Sequence, residues 1–143
     1  MRFLFYWLTG CLFLISNGYA EDFRLTTQKP FADVVQDIEY AIQAQNFRIT
    51  SENHIGQAIR ERGNAQFPLA TIIHFCNLQY AETLLILEPD LLLNMPCRIA
   101  IYEDKQQVII STPQLPATDN PTLKPLIIEI NHILQTIVQT GAE

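Results

Sequence analysis

Two cysteines offer the clearest chemistry in this sequence. Cys76 and Cys97 border segments rich in β-forming residues, and a predicted helix and turn separate them. The chain can therefore return and bring their Cβ atoms within bridging distance. A disulfide, a redox or sulfur-carrying pair, and two packed thiols are the alternatives. We expect the disulfide or the packed thiols before the redox pair. There is no Cys-x-x-Cys turn, and only Arg98 stands next to a cysteine in a position to favour its thiolate.

Soft metal ligands accompany both cysteines. His74 precedes Cys76 by two positions, and Met95 precedes Cys97 by two positions, which is the spacing that places side chains on one face of a strand. Thiolate, thioether and imidazole together suit Cu(I), or Zn(II) with fewer ligands. Every strand produces this spacing, so we treat a metal site at these four residues as an alternative and expect no cofactor.

Other catalytic patterns are missing from the sequence. Glu129 and His132 lie off the apolar side of a predicted helix, so we expect both in solvent rather than as an acid–base pair. His54 stands in a polar segment without a recognisable partner. No serine-hydrolase elbow, glycine-rich phosphate loop, His-Glu-x-x-His helix or calcium-loop spacing occurs. The sequence therefore favours a non-enzymatic protein.

The charge balance excludes one class of partner. The 143 residues contain 15 Asp and Glu against 9 Lys and Arg, a formal net charge of −6. Binding to a phosphate backbone needs clustered cations. We therefore expect a protein or small-molecule partner and no nucleic acid.

Residues 1–20 have the features of a secretory signal peptide. Arg2 supplies a positive charge, residues 3–15 are mostly apolar, and small residues at positions 18 and 20 precede a predicted cleavage. The apolar run is shorter than the roughly 20 residues of a transmembrane helix. Cleavage removes only Arg2 among the charged residues, so 8 cations remain against 15 acids, a net charge of −7. We expect a periplasmic or secreted protein without a transmembrane span after cleavage.

Lipid anchoring through Cys11 is the alternative for this segment. Leu8-Thr9-Gly10-Cys11 has the residue types of a lipobox, a short site whose cysteine is acylated after cleavage. The apolar run before Cys11 is very short, and residues 12–15 continue it instead of opening a polar tether. Cleavage after Ala20 is therefore favoured.

Residues 21–143 have the pattern of one α+β domain, with no repeat or long linker. The final helix carries a broad apolar stripe over residues 126–138, and Asn77 is a suitable N-cap for the helix after it. Residues 113–125 contain four prolines and are predicted to form an irregular surface loop. The other predicted elements are an extended start at 23–26, helices at 30–45, 55–62 and 78–87, and strands at 47–50, 70–76, 97–102 and 108–112. This order predicts an antiparallel sheet with two main helices and a short extra helix.

One block of motifs is more specific than the rest. Phe75-Cys76-Asn77, then Pro89-Asp90, then the segment at 95–103 beginning Met-Pro-Cys-Arg resemble the family called domain of unknown function 302. The resemblance covers most of residues 21–143. It implies a β-α-β-β-β-β-α layout similar to the TATA-box-binding-protein-like fold, found in cytoplasmic and exported proteins, and it implies no established reaction. Fold similarity does not transfer DNA binding. Met95, where an aliphatic residue is usual, and the proline-rich loop depart from the pattern.

The sequence leaves two main functional hypotheses, with a purely structural accessory subunit as a third and lesser one. The first is an exported, non-enzymatic accessory protein that binds a small ligand or a protein in a groove between sheet and helices. The alternative is a thiol-dependent redox or sulfur carrier, or a Cu(I)-binding protein, that uses Cys76 and Cys97.

The export signal can be tested directly. We expect protein purified from the cell envelope to begin at Glu21 by N-terminal sequencing, because the small residues before this position fit the cleavage site. An acylated Cys11 in the intact mass would instead show a lipoprotein, and an uncleaved Met1 would contradict both interpretations.

Overall fold

The computed structural model describes residues 21–143, and the predicted signal at residues 1–20 lies outside them. In chain order the elements are β1 (Asp22–Thr27), α1 (Phe31–Ala44), β2 (Arg48–Asn53), α2 (Ile55–Glu61), β3 (Ala70–Cys76), α3 (Leu78–Leu87), a 3₁₀ helix (Pro89–Asn94), β4 (Cys97–Asp104), β5 (Gln107–Pro113) and α4 (Lys124–Ala142).

The strands form one antiparallel sheet in the order β1-β5-β4-β3-β2. Successive side chains of a strand point to opposite faces. In β4, Ile99 and Ile101 are fully buried, whereas Arg98 is exposed. The register pairs Ile99 with Ile73 of β3 and Ile101 with Ile110 of β5. Apolar residues of three strands therefore share one face.

Helices α1 and α4 cover this apolar face. Each carries buried residues at helical spacing, so each turns one apolar side towards the sheet. The fully buried members include Val34, Ile38 and Ile42 of α1 and Ile137 and Val138 of α4. The two helices approach closely at Gly141, where a Cβ would overlap the side chain of Ile38. The resulting core fills the space between sheet and helices.

We call the other side of the sheet the open face. It is formed by alternate strand residues, and several of them, such as Arg24, Arg48 and Arg98, are exposed. Its other members include Asp22, Thr26, Ala70, Ile72, His74, Ala100, Tyr102, Asp104, Ile109 and Ser111.

The structure confirms the predicted α+β class, the antiparallel sheet and the two main helices. β3 and α3 have the predicted bounds, and Asn77 caps α3 by accepting hydrogen bonds from the backbone N–H groups of Gln79 and Tyr80. The strand predicted at 47–50 lies instead at Arg48–Asn53, because Phe47 is buried and packs edge-on against Phe75 at 5.6 Å. No helix among residues 21–143 is long and apolar enough to span a membrane.

The prediction of an irregular surface loop at residues 113–125 is wrong in part. Leu115 and Leu123 are buried in the core, and Pro125 belongs to the first turn of α4. Asn131 of α4 holds the segment from the helix side. Its Oδ1 accepts from the N–H of Leu115 at 2.8 Å, and its Nδ2 donates to the carbonyl of Leu115 at 3.0 Å. The side-chain amide of Asn131 thus gives both backbone groups of Leu115 the hydrogen-bond partners that a neighbouring strand would otherwise supply.

We expect Asn131→Ala to lower the free energy of unfolding by about 1–3 kcal/mol, because both backbone groups of Leu115 lose their partner. Urea denaturation measures the change. Gln139→Ala, an exposed position on the same helix, is the control and should stay within about 0.5 kcal/mol of the natural chain. Equal stability of the Asn131 variant and the natural chain would contradict this role.

Candidate functional site

Three sulfur-bearing side chains line one small cavity at the end of the sheet. Cys76 closes β3, Cys97 opens β4, and Met95 lies just before β4. Together with apolar residues such as Phe47 and Leu84 they enclose about 20 Å³. That volume accommodates about one water-sized atom. The cavity is therefore too small for an organic ligand.

Both cysteines are free thiols, so the disulfide considered from the sequence does not form in the structure. Burial, with the neighbouring Cys76 as a smaller cause, raises the pKa of Cys97 to about 11. Burial also raises the pKa of Cys76. The thiolate is the nucleophilic form, so both groups are weak nucleophiles at neutral pH. This geometry supports the packed-thiol interpretation over the redox pair.

The predicted four-residue metal set is divided between the two faces of the sheet. Cys97 pairs with Phe75 and shares its core-facing side, whereas His74 pairs with Arg98 on the open face. The antiparallel register decides this, because residues of opposite parity point away from each other. Among residues 21–143, no group of three or more His, Cys, Asp or Glu side chains is placed to hold a metal ion. Grouping His74 with Cys97 is therefore wrong.

Asn77 has a structural role beside the sulfur cavity. Besides capping α3, its side-chain amide donates to the carbonyl of Asn46 at 3.1 Å. Asn46 has a positive φ of 61° in the turn between α1 and β2. The side chain thus ties the start of α3 to that turn, and it positions the cavity wall.

The remaining polar candidates have partners that sequence reasoning missed. Tyr80 donates to Glu129 Oε1 at 2.7 Å, a bond that raises the pKa of Tyr80, so Glu129 is paired with this hydroxyl. His132 is exposed, as expected. The expectation that His54 has no partner is wrong, since its Nδ1 lies 3.2 Å from Thr71 Oγ1 and its Nε2 lies 3.6 Å from Glu52. None of these contacts forms a catalytic arrangement.

The open face carries a larger apolar groove over β3 and β4. It encloses about 320 Å³, within the range of small-molecule sites. The small side chains of Ala70 and Ala100 form its floor, between the larger Ile72 and Tyr102. Sequence reasoning missed this site. The signal was present as alanines at outward positions of two neighbouring strands.

The wall of the groove is built by α2 and the segment after it, with Ile55 and Phe67 facing the floor. Gly56 allows this approach, because a Cβ there would overlap the backbone N of Ala70 and the carbonyl O of Pro68. Arg60 Nε donates to the carbonyl of Phe67. These contacts hold the wall against the sheet.

The family model described as Domain of unknown function DUF302 matches residues 23–141. This chain belongs to that family. The fold is similar to the crystal structure of an uncharacterized conserved protein DUF302 from Bacillus stearothermophilus, with a TM-score of 0.72 and 17% identity over 84% of this chain and 97% of that chain. At this identity the similarity shows the fold alone. No curated protein matches the chain. The resemblance noted from the sequence is confirmed.

The buried thiols of this DUF302 chain should react slowly. We expect iodoacetamide at pH 7.5 to modify Cys76 before Cys97 in the folded protein, since Cys97 has the higher burial and a pKa of about 11. The rate at Cys97 should rise steeply with pH, because thiolate accumulates only as pH approaches that value. Peptide mass spectrometry separates the two sites. If iodoacetamide labelled Cys76 and Cys97 equally fast in the absence of urea, the result would contradict the deeper burial of Cys97.

Proposed function

We propose that this chain is a non-enzymatic binding protein that holds a small apolar molecule in the groove on its open face. The observation that carries the proposal is the groove itself, because its lining is almost wholly apolar and its volume of about 320 Å³ suits a ligand with one or two rings or a medium acyl chain. From the sequence we expected the groove to lie between the sheet and the helices. That layer is occupied by core side chains such as Ile38 and Ile137, so the opposite face has the space.

The groove is also pre-formed. Its floor consists of hydrogen-bonded strands β3 and β4. The bond from Arg60 to Phe67 joins the two parts of the wall, and the bonds between Glu103 and Leu69 attach the wall to the floor. Glu103 accepts from the N–H of Leu69 at 2.8 Å, which joins the wall segment to β4. A rigid site loses little conformational entropy when a ligand binds, so even a modest apolar contact area gives measurable affinity.

Cu(I) binding at the sulfur cavity is the second candidate. It is favoured by one observation, namely that Cys76, Met95 and Cys97 line a single cavity large enough for one ion. Binding requires the loss of protons from thiols whose pKa values are raised by burial, and His74 lies on the other face of the sheet. The groove therefore ranks first.

The proposed export places this binding in the periplasm or outside the cell. The proposal is supported by the composition of residues 1–20 alone. A small-molecule ligand fits the groove better than a protein partner does, because the groove is concave and is bounded on one side by α2.

N-phenyl-1-naphthylamine, an uncharged fluorescent probe, tests the proposal. We expect saturable, one-to-one binding to the natural chain. Ala100→Phe should weaken binding at least about tenfold, since the added ring occupies the floor of the groove.

Thr26→Phe is the matched control. It adds the same ring to the exposed edge strand β1 of the same face, two strands away from Tyr102, and should leave the affinity unchanged. Circular dichroism verifies that both variants fold. Absence of saturable binding, or equal binding by Ala100→Phe, would reject the groove as the ligand site.

A further inference from the structure

We propose that the ligand of the open-face groove is an amphipathic carboxylate, with its apolar body over Ala100 and its carboxylate beside Arg98 and His74. This inference rests on the groove function proposed above and adds the chemical class of the ligand. It follows from the distribution of charge on the open face, the register of the strands and an unpaired nitrogen.

Three arginines stand on the open face of an acidic protein. Arg24, Arg48 and Arg98 lie there, and within residues 21–143 none of the three has a carboxylate oxygen within 4.0 Å. Arg24 shares edge strand β1 with Asp22, and Arg48 lies on the other edge strand, so Arg98 is the arginine of the central strand.

The carboxylates nearest to the groove lie at the end away from Arg98. Asp104 lies at the β4–β5 turn, and Glu103 lines the groove where it accepts from the N–H of Leu69. Arg98 therefore gives its own end of the groove a local positive charge in a chain of net charge −6.

The register places this charge at one end of the groove. Arg98 lies two residues before Ala100 on β4, on the same face, so their Cα atoms are about 7 Å apart. A guanidinium at that distance can reach a group that projects from the end of the groove, while its alkyl stem borders the apolar floor. Arg24 extends the same region, since it pairs with Ser111, which in turn pairs with Ala100.

His74 supplies a second polar contact at the same end. It pairs directly with Arg98 across β3 and β4, and it lies two residues from Ile72 of the groove floor. Its Nδ1 is buried and has no hydrogen-bond partner within the described residues. An unpaired buried nitrogen is costly. A carboxylate paired with Arg98 would lie beside this ring, and a turn of the ring that exposes Nδ1 would give the nitrogen its missing partner, whereas a neutral ligand would not balance the charge of the arginine.

A single carboxylate fits this arrangement better than an extended polyanion. The three arginines lie on alternate strands of the sheet order and are offset by two residues along the strands, so the Cα atoms of neighbours are about 12 Å apart. They do not form the continuous cationic track that a phosphate backbone requires. The apolar groove beside Arg98 also demands an apolar body, which a nucleic-acid backbone does not offer.

The test compares 2-naphthoate with uncharged 2-naphthalenemethanol by fluorescence titration of the full chain. We expect the natural chain to prefer the carboxylate at low ionic strength, and added salt to reduce that preference. Arg98→Gln should weaken naphthoate about tenfold and leave the alcohol unchanged. Arg98→Lys retains the charge and should keep part of the preference.

Lys124→Gln is the matched control, because it removes the same charge from the start of α4, outside the open face, and should alter neither affinity. Equal affinities of the natural chain for both probes, or no effect of Arg98→Gln, would overturn the carboxylate assignment while leaving an apolar groove in place. Failure of both probes to bind would overturn the groove function and the carboxylate assignment together.

Discussion

The structure depends most on the register of β4 between β3 and β5. This central strand pairs on both sides and sends Ile99 and Ile101 into the core, while Arg98 and Ala100 go to the open face. A slip of one residue would put Arg98 under the helices and both isoleucines in solvent. Burial of an unpaired guanidinium is strongly unfavourable, and no strand pairing in the slipped register would offset it. The apolar core therefore holds the register, and the register in turn positions the groove and the cations beside it.

The two faces of the sheet have different roles. On the core side, large side chains of α1 and α4 interdigitate with the strands, and close approach at Gly141 leaves no room for a ligand. On the open face, positions 70 and 100 carry the small side chains of Ala70 and Ala100. Helices α1 and α4 do not cover these two side chains, so a depression remains above them. The packed core side of the sheet thus makes the domain rigid, and the open face leaves space for a ligand.

Burial and charge both have local effects that the composition conceals. Thiols are reactive groups, yet the packing around Cys76 and Cys97 raises their pKa values and so lowers the thiolate fraction at neutral pH. The chain is acidic overall, yet Arg24, Arg48 and Arg98 all lie on one face of the sheet. Net charge describes long-range behaviour, whereas recognition depends on which side chains share a surface.

Local pattern by itself determined much of the architecture. Helical spacing identified α1 and α4, and the β-forming residue types of residues 70–76 identified β3 with its correct bounds. The side chain of Asn77 was assigned correctly as the cap of α3. The motif block around Cys76 identified the family. These predictions are correct because residue propensity, hydrophobic periodicity and helix capping each depend on residues that are close together in the chain.

Only the tertiary structure decided what the candidate residues contact. The separation of His74 from Cys97, the anchoring of Leu115 by Asn131 and the meeting of Ala70 with Ala100 at the floor of a groove all depend on pairing between distant segments. Register is set by the joint burial of residues from many elements, and a single strand carries no information about its partner's alignment. The sequence therefore determined the elements and the family. The packing of those elements raised the pKa values of Cys76 and Cys97 and formed the groove on the face that the helices leave open.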